Sequence, residues 1–203
     1  MTPPTVDGSV VVYDGWTSLR LATVTLASGA KVKRHIEDHG ASTCVLPFDP
    51  ERRCALLVSM TRAPVLEVSE SDLLEVPAGR VETMPPEQTA RAEALEECGV
   101  ALGPLTLVMH AWTMPAISAE RSHMYIAEYA VADRVSAGGG LADEGEEIVV
   151  VEKPLDTLWA MLEAGTLPDL KTAFLLQALR LRRPELFGPG PGPELGEADI
   201  PSG

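Results

Sequence analysis

Three glutamates lie within five consecutive positions of the segment RAEALEECGV, residues 91–100: Glu93, Glu96 and Glu97. On a helix, at about 100° per residue, their carboxylates fall within roughly one third of the circumference. Like charges four residues apart repel, but Glu93 and Glu97 have the spacing at which two carboxylates can share one hard cation. The segment therefore predicts a cation site, with a solvated acidic surface as the simpler alternative.

The helix that carries these carboxylates is predicted over residues 83–98. Pro85 and Pro86 suit its first turn, and Gly99 stands where a helix stop belongs. A strand and a Pro-Ala-Gly turn precede it in residues 72–79, and would bring backbone carbonyl groups close to its carboxylates. We therefore expect the acidic face to be held in a fixed place in the fold.

The remaining patterns predict an α/β fold with an antiparallel-rich mixed sheet flanked by helices. Short apolar runs bounded by turn residues indicate strands, and leucines at helical spacing indicate two C-terminal helices. The strands are predicted at 9–13, twice within 19–36, twice within 42–60, and at 72–81, 105–112, 124–131 and 148–152, and the helices at 154–165 and 170–183. Residues 188–203, rich in Gly and Pro, are predicted to be disordered.

The chain of 203 residues is acidic, with 30 Asp and Glu against 16 Lys and Arg and a formal net charge of −14. Such a surface repels nucleic acids and anionic membranes, so neither is expected as a partner. The chain shows neither an apolar run long enough to span a bilayer nor a signal peptide, so a cytoplasmic location is expected. Its three cysteines form no CxxC pair, and we expect them to be reduced and mostly buried, without zinc.

Residues 75–100, EVPAGRVETMPPEQTARAEALEECGV, resemble the signature of the Nudix hydrolases. That signature is Gly, five residues, Glu, seven residues, then Arg-Glu-hydrophobic-any-Glu-Glu-any-Gly-hydrophobic. Gly79, the three glutamates, Gly99 and Val100 match it. The family hydrolyses a nucleoside diphosphate linked to another moiety, with Mg²⁺ held by the signature glutamates.

The segment departs from the signature in three ways. The spacing from Gly79 to Gly99 is one residue shorter, two prolines stand where the first Glu belongs, and Ala92 replaces the Arg. In the family that Arg helps to orient a metal-binding glutamate, and Arg91 offers a partial substitute. Two alternatives to the enzyme therefore stay open: a Nudix-fold nucleotide-binding module with weakened catalysis, and a protein of unrelated class whose acidic helix is only surface.

The resemblance covers roughly residues 10–182 and points to the ADP-ribose and GDP-mannose pyrophosphatases, on the segments HGASTCVLPFD, LLEVPAGR, MYIAEYA, AGGGLADEGEEIVVVE and LPDLKTAFLLQAL. It implies Mg²⁺-dependent (or Mn²⁺-dependent) hydrolysis of the pyrophosphate bond of a nucleoside diphosphate sugar to a nucleoside monophosphate and a sugar phosphate. It also implies a Nudix-type α/β/α sandwich with a mixed sheet over residues 41–187, preceded by a small antiparallel β element over residues 1–40. A homodimer, in which the N-terminal strands help to complete each other's sites, is a further implication.

The same resemblance implies roles for individual residues. The implied catalytic residues are Glu93, Glu96, Glu97 and Glu146, and the implied metal ligands are Glu93, Glu97, Glu146 and the backbone carbonyl of Ala78. The implied substrate-binding residues are Trp16, Lys33, Arg34, Arg62, Glu120 and Lys171. Glu146 is the candidate general base, and Glu96 is expected to orient its neighbours.

Several of these residues also have a structural interpretation. Trp16 stacks on a nucleobase in the resemblance, but core or dimer-interface packing is equally open. Arg62 suits a diphosphate or an ordinary surface position, and for the segment of Glu146 a solvated loop is the alternative interpretation on composition. Lys33 and Arg34 match a stretch that contacts the nucleotide across a dimer. The four histidines do not cluster in the sequence and are interpreted as structural.

Overall fold

A computed structural model of the protein describes residues 2–69, 72–141 and 147–188. The candidate base Glu146 and the tail from residue 189 onward lie outside the described residues. The strands are β1 (Thr5–Asp14), β2 (Ser18–Thr25), β3 (Lys31–Asp38), β4 (Ala41–Asp49), β5 (Cys54–Met60), β6 (Leu73–Glu75), β7 (Ala78–Val81), β8 (Thr106–Trp112), β9 (Arg121–Glu128) and β10 (Val149–Pro154). The α-helices are α1 (Ala63–Leu66), α2 (Pro86–Cys98), α3 (Leu155–Glu163) and α4 (Leu170–Arg182).

The first three strands form an antiparallel sheet in the order β1-β2-β3. Gly29, with φ of +84°, is the residue that lets the chain turn from β2 to β3. All ten residues of β1 are exposed, whereas Ala22 in β2 is buried. This small sheet therefore has little core of its own.

The second sheet has seven strands and is mixed. Its main order is β10-β5-β4-β9-β8, with β6 paired to β5 and β7 paired to β4. Strands β4 and β9 run parallel, while the other pairs are antiparallel. The predicted α/β fold with a mixed sheet is confirmed.

Helices cover both faces of this sheet because β4 and β5 are apolar on both sides. Leu46 and Leu57 pack in one buried cluster with Leu176 of α4. Val45 and Leu56, their neighbours in sequence, pack in a second cluster that includes residues of α2. The alternation of side chains along each strand thus produces the predicted α/β/α sandwich.

The prediction of one strand over residues 72–81 is wrong. The chain forms β6 beside β5, breaks at Pro77, and continues as β7 beside β4. Proline has no N–H to give to a ladder, and the Pro77 carbonyl instead accepts a hydrogen bond from the Val45 N–H at 3.1 Å. This break places Ala78 and Gly79 at the start of a strand that faces α2.

The predicted burial of the cysteines is confirmed, since Cys44, Cys54 and Cys98 are all buried, and each is free. Burial raises the pKa of the Cys44 and Cys98 thiols to about 12, so both stay protonated at neutral pH. Within the described residues, no helix is both long and apolar enough to cross a membrane.

Candidate active site

Helix α2 carries the three signature glutamates and ends at Gly99. This glycine adopts the left-handed conformation, with φ of 68°, and its N–H donates to the Leu95 carbonyl at 3.0 Å. The next N–H, of Val100, reaches the Ala94 carbonyl at 3.2 Å. Gly99 therefore stops the helix directly after the glutamates, as the sequence predicted.

Strand β7 approaches α2 so closely that residue 79 has no room for a side chain. A Cβ on Gly79 would lie 1.8 Å from Oε1 of Glu93 and 2.2 Å from its carboxyl carbon. One residue earlier, the Ala78 N–H donates to Oε2 of Glu97 at 3.1 Å. Glu97 is only 2% exposed. The backbone of β7 thus lies directly against two of the carboxylates.

The glycines of residues 137–140, which we call the AGGG segment, cover the end of the same helix. The N–H of Gly139 donates to the carbonyl of Glu97 at 2.9 Å, and that of Gly140 lies 3.3 Å from the carbonyl of Glu96. Gly138 has φ of +70°, and a Cβ there would lie 2.4 Å from the Glu97 carbonyl oxygen. This segment satisfies helix-end carbonyls that would otherwise lack donors.

A groove of about 450 Å³ runs along α2 and β7, and we call it the acidic groove. Glu93 and Glu96 line it, while Glu97 is buried. Its lining residues are Trp16, Arg62, Ala78, Gly79, Arg80, Glu82, Thr83, Met84, Thr89, Glu93 and Glu96. The structure therefore brings the signature glutamates together with Ala78, Arg62 and Trp16.

A second cavity of about 610 Å³, which we call the wide cavity, adjoins the acidic groove. Four of the predicted substrate-binding residues line it, namely Trp16, Arg62, Glu120 and Lys171. Apolar side chains from several elements complete its wall, among them Val65, Leu73, Met109, Trp112, Leu170 and Phe174. The two cavities share Trp16, Arg62, Ala78, Gly79 and Arg80.

Two cationic residues of the wide cavity, Arg62 and Lys171, are held by buried carboxylates. Glu75, only 2% exposed, accepts from Arg62 Nε at 2.7 Å and lies 3.4 Å from Lys171 Nζ. Lys171 also donates to Asp169 at 2.8 Å. Burial alone would lower the pKa of Lys171, but the charges of Asp169 and Glu75 outweigh it and raise that pKa. The ammonium group therefore stays charged beside the cavity.

Comparison with known proteins decides the family. No family model matches the chain. The GDP-mannose pyrophosphatase of Citrobacter koseri is 35% identical to it over 175 residues, which cover 83% of this chain and 91% of the relative. That of Cronobacter sakazakii is 35% identical over 152 residues, covering 74% of this chain and 78% of the relative. The chain belongs to the Nudix hydrolases.

The fold agrees with this assignment. The crystal structure of an ADP compounds hydrolase matches this Nudix hydrolase with a TM-score of 0.72, over 90% of this chain and 95% of that chain. Because the two sequences are only 16% identical, this match concerns the fold alone.

Two predicted substrate-binding residues lie away from the cavities of this Nudix hydrolase. Lys33 and Arg34 are exposed on β3, where Lys33 Nζ donates to Thr23 Oγ1 at 2.7 Å.

Arg91, the proposed substitute for the missing signature arginine, pairs with Glu87 and donates to the Leu102 carbonyl at 3.0 Å. Its guanidinium is thus engaged by the first turn of α2 and by the chain beyond the helix.

Sequence reasoning missed three residues that line the cavities: His39, Glu75 and Arg80. Arg80 follows the signature glycine, so its position beside the site was the one available signal. Glu75 and His39 gave no such signal, because Lys171 and Glu120, which pair with them, come from distant parts of the chain. Lys171, for example, lies 96 positions from Glu75.

Proposed function

We propose that this Nudix hydrolase cleaves the pyrophosphate bond of a nucleoside diphosphate sugar of the GDP-mannose or ADP-ribose type, releasing a nucleoside monophosphate and a sugar phosphate. The observation that carries the proposal is the junction of the two cavities at Arg62 and Arg80. A diphosphate across this junction would meet two guanidinium groups, whose planar donors suit phosphate oxygens. One end of the substrate would then lie in the wide cavity, and the reacting phosphorus in the acidic groove.

The names of the relatives support this substrate class, since both are GDP-mannose pyrophosphatases. The wide cavity is large enough for a nucleoside or a sugar, and its wall combines apolar side chains with a few charged ones. Base and sugar selection depend on contacts along that wall.

The donor set at α2 fits Mg²⁺, with Mn²⁺ as the alternative cation. Carboxylate oxygens of Glu93 and Glu97 and the carbonyl oxygen of Ala78 are hard donors of the kind that Mg²⁺ prefers. Within residues 2–69, 72–141 and 147–188, no three His, Cys, Asp or Glu side chains form a group that could hold a metal ion. The proposed set therefore includes a backbone oxygen and Glu146, which lies outside those ranges.

When bound, such a cation would neutralise the diphosphate and lower the pKa of a water molecule. The protein's own residues would orient the reactants. Arg62 and Arg80 would hold the diphosphate, Glu93 and Glu97 would hold the cation, and Glu96 would steady its neighbours. Glu146 is proposed as the base that accepts the proton of the attacking water.

The direct test measures release of the nucleoside monophosphate from GDP-mannose, ADP-ribose, ADP-glucose and diadenosine polyphosphates, with and without Mg²⁺. We expect metal-dependent release of GMP or AMP from a nucleotide sugar. If the substrate raises the melting temperature in Mg²⁺ but no product is released, the alternative is established: a nucleotide-binding module with weakened catalysis at Ala92. If the protein shows no release and no stabilisation, both the enzyme and the binding module are refuted.

We further infer a homodimer, because the exposed strand β1 presents Val6, Val10, Val11, Val12 and Tyr13 to solvent. Lys33 and Arg34, exposed on the same sheet, would then contact the nucleotide bound by the partner. Light scattering during size exclusion should give twice the chain mass, and Val11→Asp should give the monomer. A monomeric wild-type protein would refute this part of the proposal.

A cytoplasmic location remains a prediction, for which the three free, buried cysteines are the support.

A further inference from the structure

His39 lies between two carboxylates beside the wide cavity. Its Nδ1 is 2.7 Å from Glu37 Oε1, and its Nε2 is 3.4 Å from Glu120 Oε1. A neutral imidazole has one N–H and one lone pair, so one of its nitrogens would face a carboxylate without a proton between them. An imidazolium donates to both. The geometry therefore favours the doubly protonated ring.

Both carboxylates are fixed by hydrogen bonds from neighbouring hydroxyl groups. Glu37 accepts from Ser118 Oγ at 2.6 Å and from the Thr17 hydroxyl. Glu120 accepts from the Thr113 hydroxyl, and its own N–H donates to Ser118 Oγ at 3.1 Å. Two carboxylates held in this way cannot turn aside from the imidazole without losing these bonds. Ser118 thus ties both acceptors of His39 into one network.

The Trp16 ring stacks on His39. Their ring centroids are 5.2 Å apart, and the ring planes differ by 21°. Trp16 is 72% exposed and lines both cavities, and the Arg80 guanidinium is the other group over its ring. An imidazolium is attracted to the face of an indole more strongly than a neutral imidazole. The protonation state of His39 therefore bears on the position of Trp16.

We propose that His39 is a positioning residue. As an imidazolium between Glu37 and Glu120, it holds the Trp16 ring at the rim of the wide cavity. The nucleoside diphosphate sugar therefore binds best while His39 keeps its proton. This inference rests on the proposed function for its substrate. It assigns His39 no contact with the reacting atoms.

The charged groups around the stack determine the direction of its pH dependence. These are Glu37 on β3, Glu120 just before β9, and Arg80 on β7, whose guanidinium carbon is 5.9 Å from the centroid of the Trp16 ring. Asp38, next to Glu37, is instead paired with Arg20 at 3.0 Å.

Burial alone would lower the pKa of His39, but the hydrogen bond and charge of Glu37, followed by the charge of Glu120, outweigh it and raise that pKa. The proton is therefore fully present below the ordinary histidine pKa of about 6.5 and is lost as the pH rises through the raised pKa. Substrate binding should weaken over the same interval, so KM should rise with pH.

The kinetic test compares wild type with His39→Gln between about pH 5.5 and about pH 9. We expect the wild-type KM to rise about tenfold across the range, and the His39→Gln KM to stay near the high-pH value, with kcat within about twofold at each pH. His110→Gln, a histidine change on β8, is the matched control and should keep the wild-type profile. An unchanged KM profile in His39→Gln would overturn the inference.

A second measurement needs no substrate. Tryptophan fluorescence of the wild type should show a pH transition that is lost in both His39→Gln and Trp16→Phe but kept in His110→Gln. Circular dichroism of each variant confirms folding. A transition that persists in His39→Gln would overturn the positioning role. If the wild type hydrolyses no nucleotide sugar at any pH, the proposed function fails, and the fluorescence result alone still decides whether His39 positions Trp16.

Discussion

The acidic groove and the wide cavity adjoin each other, but they are assembled in different ways. Most of the acidic groove comes from one continuous segment, residues 78–96, with Trp16 and Arg62 added from elsewhere. The wide cavity collects side chains from Trp16 to Phe174, and within it Arg62 and Lys171 pair with Glu75 and Asp169. The three signature carboxylates therefore lie in a local motif, whereas the proposed recognition residues depend on the whole fold.

This difference implies different kinetic effects for changes on the two sides. Loss of a group that acts only in the transition state lowers kcat, whereas loss of a binding contact raises KM. We therefore expect changes at α2 and β7 to lower kcat and changes in the wide cavity to raise KM. The following variants test this division.

Glu97→Gln should have the largest effect. The amide oxygen can still accept the hydrogen bond that the Ala78 N–H gives to Glu97 at 3.1 Å, so the fold should be kept. The lost negative charge removes a proposed cation ligand, and we expect kcat to fall about 10³-fold with a small change in KM. Steady-state assays at saturating Mg²⁺ measure both.

Glu87→Gln is the matched control for this variant. It removes one carboxylate from the first turn of the same helix, where Glu87 pairs with Arg91. Its kcat should be that of the wild type. A metal-dependent Glu97→Gln enzyme with wild-type turnover would contradict the assignment of the acidic groove to catalysis.

Gly79→Ala tests whether the close approach of β7 positions Glu93. The added Cβ would lie 1.8 Å from Oε1 of Glu93, so the carboxylate must move. A displacement of about 1 Å in a reacting group can cost about 10²-fold in rate, and we expect a loss of that size in kcat. Gly103→Ala, where a Cβ meets nothing within 4 Å, should keep full activity. Equal kcat values for the two variants would show that Glu93 needs no such placement.

The same contrast explains which features could be predicted from the sequence. The signature residues lie on one strand and one helix, so one short segment was enough to show the resemblance to the Nudix signature. The C-terminal helices were predicted at 154–165 and 170–183 and lie at Leu155–Glu163 and Leu170–Arg182, because leucine spacing and turn residues are local signals.

The features that were missed depend on partners distant in sequence. The split of residues 72–81 into β6 and β7 reflects a change of neighbour, from β5 to β4, that the segment itself does not encode. His39 is one of four histidines that do not cluster in the sequence, and its proposed role depends on Glu120 and Trp16, which only the fold brings beside it. Neither feature has a periodicity or spacing that sequence reasoning could detect.

Gly138→Ala should have an intermediate effect, because it acts on the acidic groove through the end of α2. Its Cβ would lie 2.4 Å from the Glu97 carbonyl oxygen, and its φ of +70° disfavours a side chain. We expect kcat to fall about tenfold. The melting temperature should drop by a few degrees, because backbone strain lowers the free energy of unfolding by about 1–2 kcal/mol.

Gly165→Ala separates the strain from the clash. Gly165 has nearly the same φ, +69°, but a Cβ there meets nothing within 4 Å. It should lower the melting temperature through strain alone and leave kcat unchanged. If both variants lose the same activity, the contact of the AGGG segment with α2 does not support catalysis.

Arg62→Gln should have the smallest effect on kcat and should act on KM. A charge-assisted hydrogen bond to a phosphate contributes about 1.5–3 kcal/mol, so its replacement by a neutral donor should raise KM about tenfold with kcat within about threefold. The fold should survive because Glu75 keeps Lys171 within 3.4 Å. Arg183→Gln, which breaks pairs with Glu128 and Glu185, is the control and should keep the wild-type KM. Because Arg62 lines both cavities, a fall in kcat with an unchanged KM would assign its guanidinium to the transition state, and so to the acidic groove.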